Sequence, residues 1–113
     1  MSILIKWVLS AVAVLIAAYI LPGVAVSSFV TALIVAVILA LLNAVLRPIL
    51  VILTIPITVV TLGLFLLVIN ALIILLTDSL IDGFEVSNFW WALAFSFLIS
   101  ILGALFDDIA ERI

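Results

Sequence analysis

Residues 47–62 read RPILVILTIPITVVTL, and this stretch decides how the whole chain is organised. It is too apolar for an aqueous loop. The fourteen residues after Pro48 would rise only about 21 Å as a helix, against a membrane core of about 30 Å. Because Pro56 would interrupt any helix here, we predict a re-entrant segment that enters at Arg47 and Pro48, breaks at Pro56 and leads into the next helix at residues 61–63. A kinked helix lying at the interface is the alternative.

The composition of the whole chain indicates a membrane protein. Of its 113 residues, 72% are hydrophobic and 8% are charged, whereas an ordinary soluble domain is about 45–50% apolar and about 25% charged. So short a soluble monomer could not cover this much apolar surface, and disorder requires the opposite composition. A net charge of −3, without a basic patch, argues against nucleic acid as a partner.

The absence of histidine and cysteine excludes several chemistries. The chain offers no imidazole base, no thiol nucleophile and no ligand set typical of zinc or haem. The sequence therefore predicts no cofactor, no metal site and no enzymatic activity.

Four apolar stretches approach the roughly 20 residues that a spanning helix needs. They are residues 3–21, 29–46, 62–77 and 89–106. We therefore predict an all-α integral membrane protein that forms a single domain of four transmembrane helices. If residues 48–62 spanned the bilayer instead, there would be five spans and the C-terminus would lie outside.

The charged residues set the predicted orientation. With four spans, one side of the bilayer carries the three basic residues, Lys6, Arg47 and Arg112. The loop between the third and fourth spans carries Asp78, Asp82 and Glu85 on the other side. Because basic residues favour the cytoplasm, we expect both termini there.

The chain also resembles itself when it is shifted by sixty positions. The pattern G-x-x-V-S-x-F-x-x-A-L occurs at residues 23–33 and again at residues 83–93. We therefore predict two tandem two-helix repeats, residues 3–46 and 63–106, with the re-entrant segment 47–62 between them. Repeats of two spans each have the same orientation, so a pseudo-twofold axis would run along the membrane normal.

The second helix of each repeat carries a small residue at every fourth position. Such ridges allow helix backbones to approach closely in lipid. We call them the small-residue ridges, and they comprise Ala32, Ala36, Ala40 and Ala44 in the first repeat and Ala92, Ser96, Ser100 and Ala104 in the second. These two helices are equivalent under the axis and could cross at it, so we hypothesise an ion pair between Arg47 and Asp107 or Asp108.

Polar residues at membrane depth are costly and are candidates for function. The candidate cluster and the residues that shape the re-entrant segment are Asn43, Arg47, Pro48, Thr54, Pro56, Thr58, Thr61, Gly63 and Asn70. Three interpretations remain open: the lining of an aqueous path, a site for a phospholipid headgroup, or a hydrogen-bonded anchor for the re-entrant backbone.

Several of these residues form motifs. N-x-x-x-R-P begins at Asn43, P-x-T-x-x-T-L-G begins at Pro56, and Asn70 and the Gly83-Phe84 pair follow. Together they resemble the YvlD-like family of bacterial membrane proteins, which is classed with the four-transmembrane mycobacterial phage-holin superfamily. The resemblance implies that the motif residues are important for structure or function in this chain. They are Asn43, Arg47, Pro48, Pro56, Thr58, Thr61, Gly63 and Asn70.

The resemblance also implies a function, because holins are small proteins that oligomerise in the bacterial inner membrane and permeabilise it. We therefore expect a homo-oligomer in contact with membrane lipids, which forms a pore or lesion and has no small-molecule substrate that the sequence identifies. The alternative is a non-conducting structural or lipid-organising membrane protein, without transport or enzymatic activity.

Overall fold

The computed structural model describes residues 3–112, apart from the side chain of Ala110. Its elements, in chain order, are α1 (Ile3–Ile20), β1 (Val24–Val26), α2 (Phe29–Leu53), α3 (Ile55–Val60), α4 (Phe65–Leu80), β2 (Phe84–Val86) and α5 (Phe89–Arg112). The prediction of a mostly helical membrane protein is confirmed. The two short strands were not predicted.

Three of the described helices, α1, α2 and α5, are long and apolar enough to cross a membrane. The fourth long helix, α4, has 16 residues and would rise about 24 Å, slightly less than a typical membrane core.

The helices that follow the two strands begin with equivalent caps. Ser28 precedes α2, and its Oγ accepts a hydrogen bond from the backbone N–H of Thr31 at 3.2 Å. Asn88 precedes α5, and its Oδ1 accepts one from the N–H of Trp91 at 3.0 Å. A side-chain oxygen at this position satisfies a backbone donor that the first turn of a helix leaves free.

Strands β1 and β2 pair in antiparallel fashion at one end of the bundle. Val24 lies opposite Val86, Ala25 opposite Glu85, and Val26 opposite Phe84. Two further bonds close the ribbon: the N–H of Ser27 donates to the Gly83 carbonyl at 2.8 Å, and the N–H of Ser87 donates to the Gly23 carbonyl at 2.9 Å. The ribbon therefore joins the two halves of the chain directly.

The four long helices form a ring. Helix α1 packs on α2 and α5, and α4 packs on the same two helices. Helices α2 and α5 lie diagonally opposite, with no pair of their described Cα atoms within 8 Å. The two ridge-bearing helices therefore do not cross at the centre, because α1 and α4 lie between them.

The buried core fills the half of the ring nearest the ribbon. Phe84 and Phe95 are fully buried there, with ring centroids 5.5 Å apart. The outer surface of the bundle carries many exposed apolar side chains, such as Ile3, Val45 and Phe97. This distribution suits a bundle surrounded by hydrocarbon rather than by water.

The segment 47–62 begins differently from the prediction, because α2 continues through Pro48 to Leu53. Proline removes a helical hydrogen bond, but backbone groups in hydrocarbon must be satisfied within the protein, which favours helix on both sides of Pro48. The helix ends at Thr54, and Pro56 lies in the first turn of α3. Proline is tolerated there because the first N–H groups of a helix have no intrahelical partner.

A second break separates α3 from α4, at the predicted place. Leu62 and Gly63 both have positive φ angles, 57° and 89°, and the N–H of Gly63 donates to the Thr58 carbonyl at 2.8 Å. The Thr61 Oγ1 accepts a hydrogen bond from the N–H of Phe65 at 3.2 Å, which caps the start of α4.

Candidate functional site

A cavity of about 250 Å³, lined by both polar and apolar side chains, lies inside the ring at the end where α1 begins and α5 ends. We call it the cleft. Buried residues such as Val14 and Ile73 form its inner end, and exposed residues such as Lys6 and Asp107 lie at its mouth. From Lys6 to Val14 it extends about 12 Å along α1, less than half of a typical membrane core.

Arg47 and Asn70 join two helices within the cleft. Nη1 of Arg47, on α2, donates a hydrogen bond to Oδ1 of Asn70, on α4. Both side chains line the cleft, as does Asn43. Three of the residues in the predicted polar cluster thus line the same cavity. Arg47 pairs with Asn70 on the neighbouring helix α4 rather than with Asn43 on its own helix.

Two further charged residues line the same cleft, Lys6 on α1 and Asp107 on α5. Among the described residues, the one ion pair within 4.0 Å joins Arg112 to Asp108 at 3.2 Å. Arg47 therefore forms no ion pair with Asp107 or Asp108 in the single chain. Because α2 and α5 are diagonal in the ring, Arg47 and Asp107 lie on opposite helices that the cleft separates.

The threonines of the segment 47–62 form a separate group. Thr54 Oγ1 donates to the Leu50 carbonyl at 2.8 Å, and Thr61 Oγ1 donates to the Ile57 carbonyl at 3.0 Å. The hydroxyl oxygens of Thr54 and Thr58 lie 3.5 Å apart. None of the three is a cleft residue. They stabilise the backbone at the two breaks, while Asn43, Arg47 and Asn70 lie in the cleft.

The small-residue ridges divide into three parts. Ala32, Ala36, Ala92 and Ser96 are buried within the bundle. Ala40 and Ser100, one turn further along, line the cleft. The last members, Ala44 and Ala104, are exposed and do not line the cleft.

The cleft residues follow the sixty-position offset of the sequence. Eight pairs of lining residues are separated by this offset: Ser10 and Asn70, Ala13 and Ile73, Val14 and Ile74, Ala36 and Ser96, Leu39 and Ile99, Ala40 and Ser100, Asn43 and Gly103, and Arg47 and Asp107. The remaining lining residues are Lys6, Leu9 and Phe106.

An apolar groove of about 440 Å³ lies beside the cleft, between α1 and α2. We call it the lateral groove. It is lined by Ile3, Leu4, Lys6, Trp7, Ser10, Ala36, Val37, Ala40 and Leu41. Because Lys6, Ser10, Ala36 and Ala40 also line the cleft, the two spaces share one wall.

The architecture of four apolar helices can be compared with that of known proteins. A family model described as "Mycobacterial 4 TMS phage holin, superfamily IV" matches residues 1–105. The chain belongs to this holin family. The match covers α1, α2 and α4 in full and α5 as far as Leu105, together with the whole cleft except Phe106 and Asp107.

Two curated relatives of this holin-family protein come from distant bacteria. The uncharacterized membrane protein YvlD of Bacillus subtilis is 44% identical over 57 residues, which cover 50% of this chain and 48% of YvlD. The uncharacterized protein SCO3922 of Streptomyces coelicolor is 44% identical over 55 residues, which cover 45% of this chain and 44% of SCO3922. The matched region thus spans about half the length of each relative. No solved structure matches the chain.

Sequence reasoning missed two polar members of the holin-family cleft, Lys6 and Ser10. The signal was present in the sixty-position offset of the sequence, at which Ser10 corresponds to Asn70. Lys6 lies one turn before Ser10, on the same face of α1. Residues at such spacing share a helix face, so the sixty-position offset indicates Ser10 and the helical spacing then indicates Lys6.

Proposed function

We propose that this holin-family protein self-associates in the bacterial inner membrane and permeabilises it. The observation that carries the proposal is the cleft, which brings Lys6, Asn43, Arg47, Asn70 and Asp107 together in a bundle with many exposed apolar side chains. Ionisable residues within a membrane bundle mark paths for water or ions. Enzymatic activity is not part of the proposal.

The path would run between copies of the chain, because the core blocks it within one copy. Val35 and Phe95 are fully buried, and Phe95 packs on Phe84 between the inner end of the cleft and the ribbon. The cleft would serve as a wet vestibule at one face of the membrane. Several copies together would be needed to complete a passage to the other face.

The exposed ends of the small-residue ridges offer a surface for self-association. Ala44 and Ala104 are exposed, and small residues let the backbones of neighbouring helices approach closely in lipid. We assign this surface to the contact between copies.

The orientation follows from charge. Lys6, Arg47 and Arg112 belong to the end with the cleft, and the ribbon end carries Asp78, Asp82 and Glu85. Because basic residues favour the cytoplasm, the cleft and both termini would face the cytoplasm.

We also propose that the two halves are tandem repeats related by a pseudo-twofold axis through the cleft. The register of β1 and β2 supports this, since Ala25 faces Glu85, its equivalent at the sixty-position offset. The reciprocal hydrogen bonds of Ser27 and Ser87 and the eight pairs of cleft residues support it as well. Residues 47–62 would join the repeats within the cytoplasmic half of the membrane, as a re-entrant or interfacial segment.

Release of a small dye from liposomes tests permeabilisation. Purified protein at high density should release the dye, and the rate should rise more steeply than in proportion to the protein-to-lipid ratio, since several copies form one path. The Ala44→Phe variant should weaken both the chemical cross-linking of neighbouring copies of the chain and the release of dye. Val45→Phe, an equally apolar change at a neighbouring exposed position, is the matched control.

The alternative is a non-conducting structural or lipid-organising protein. Wild-type protein that assembles at high density but releases neither dye nor ions would establish this alternative and refute the pore.

A further inference from the structure

We infer that the cleft and the lateral groove together bind one phospholipid of net charge −1. Its phosphate would lie in the cleft beside Lys6 and Arg47, and one acyl chain would lie in the lateral groove. This inference does not depend on pore formation, because a single chain contains every residue that it uses.

Charge complementarity favours a lipid with a net charge of −1. The cleft contains two cationic side chains, Lys6 and Arg47, and one anionic side chain, Asp107. This leaves one net positive charge, which a singly charged headgroup neutralises. Asp107 can accept hydrogen bonds from headgroup hydroxyls, and it disfavours additional negative charge.

The cationic groups have donors to spare. Arg47 has five N–H donors, and Asn70 accepts from Nη1. No fully buried side-chain nitrogen in the described part of the chain lacks a partner, so the nitrogens of Arg47 that make no hydrogen bond are accessible, on a side chain that lines the cleft. Asn70 fixes the guanidinium in place, and a guanidinium fork matches the geometry of phosphate oxygens.

The position of Lys6 makes it the junction of the site. It lines both the cleft and the lateral groove, and it is exposed. A lysine near a helix end extends its ammonium toward the interface and keeps its stem along apolar surface. The ammonium therefore lies where the phosphate of a lipid meets its acyl chains.

The lateral groove suits an acyl chain. Its lining is apolar apart from Lys6 and Ser10, and it faces outward between α1 and α2. Trp7 is held at the groove by a hydrogen bond from its Nε1 to the Leu33 carbonyl at 2.9 Å. Small residues at Ala36 and Ala40 leave the space that a chain requires. The two spaces together fall in the range of known small-molecule sites, about 300–1,000 Å³.

Competitive lipid retention tests the charge assignment. Purified protein in mild detergent is mixed with equal amounts of phosphatidylglycerol and phosphatidylcholine of identical acyl chains, and retained lipid is measured by native mass spectrometry. We expect about a tenfold preference for phosphatidylglycerol, or about 1.4 kcal/mol, because both lipids carry a phosphate but the choline of phosphatidylcholine cancels its charge beside the net positive cleft. Lys6→Gln and Arg47→Gln should each lower the ratio of retained phosphatidylglycerol to phosphatidylcholine toward one.

The matched control for charge is Arg112→Gln. Arg112 lies at the same end of the bundle but outside the cleft, paired with Asp108. The preference should survive this change. Equal loss in Arg112→Gln and Lys6→Gln, equal retention of both lipids by wild type, or a preference for phosphatidylcholine over phosphatidylglycerol would each overturn the inference.

The acyl chain is tested separately. Ala40→Phe fills the wall that the cleft and the groove share, and it should abolish retention, whereas Ala25→Phe, at an exposed position in the ribbon, should not. Excess glycerol phosphate, which has the headgroup chemistry without the chains, should fail to displace the lipid. Displacement would show a site for free phosphate instead. Helical circular dichroism of each variant verifies that the bundle is folded.

Discussion

At the scale of single residues, Arg47 is the basic side chain that links two helices of the bundle. Its guanidinium lies among helices whose other contacts are mostly apolar, and Asn70 on α4 is its partner. An unpaired polar group at membrane depth is costly, so removing either member leaves the other unsatisfied. The two residues should therefore behave as one unit.

A double-mutant cycle tests this coupling. Arg47→Ala and Asn70→Ala should each destabilise the bundle against detergent-induced unfolding, and the double variant should be less destabilised than the sum. The coupling should be about 0.5–2 kcal/mol, as for hydrogen bonds between membrane helices. The same cycle with Asn43→Ala in place of Asn70→Ala should give a coupling near zero. Additive effects of Arg47→Ala and Asn70→Ala would refute the pairing.

The sequence marks Arg47 and Asn70 as important but does not reveal that they are partners. Spacing along α2 indicates that Asn43 shares a face with Arg47, which is correct. It contains no information on which residue of another helix lies opposite. The hypothesis of an ion pair with Asp107 assumed that α2 and α5 approach each other, and the ring places them diagonally.

At the scale of elements, the ribbon depends on close packing at Gly23. A Cβ atom added there would lie 2.2 Å from the ring of Trp91, at the start of α5. Gly103, within α5, has open space at the same position, with nothing within 4 Å. The two glycines thus have opposite roles.

Alanine substitutions should separate them. Gly23→Ala should lower the free energy of unfolding by about 1–3 kcal/mol, the range for overpacking. Gly103→Ala should leave it unchanged or raise it by up to about 1 kcal/mol, because alanine favours helix. Thermal unfolding followed by circular dichroism measures both. Equal destabilisation by the two changes would contradict the assigned contact with Trp91.

The segment between α2 and α4 shows how far a sequence pattern reaches. The break near Pro56 and the turn at residues 61–63 were predictable, because proline and glycine act locally. The continuation of α2 through Pro48 was not, since it depends on the need of backbone groups in hydrocarbon for internal hydrogen bonds, which no local pattern reports. Leu62, a leucine with positive φ that is 93% exposed, also has no local signal.

Accessibility of cysteines tests where this segment lies. The chain has no native cysteine, so single substitutions are unambiguous. Leu62→Cys and Ile57→Cys should resist a membrane-impermeant maleimide from both sides, since these exposed apolar side chains would lie in hydrocarbon. Arg112→Cys should react from the cytoplasmic side and Glu85→Cys from the opposite side. Labelling of Arg112→Cys from outside would instead indicate five spans.

At the scale of the whole molecule, the two ends of the bundle differ in what fills the ring. The ribbon end is closed by apolar packing around Phe84 and Phe95, while the opposite end is open and charged. The offset of sixty positions predicted equivalent elements at both ends of the chain. It could not predict a cleft, because the space depends on how far apart four helices stand rather than on any one sequence pattern.

This asymmetry predicts where a permeation path cannot lie. Phe95→Ala should cost about 3–5 kcal/mol of stability, because a buried aromatic ring is lost beside Phe84. It should not increase dye release per assembled protein, since the path would run between copies and not through the ring. Trp90→Ala, at a position that is 72% exposed, is the control for loss of an aromatic side chain. If Phe95→Ala instead produced release in simple proportion to protein density, the core would be the gate and a single copy the channel.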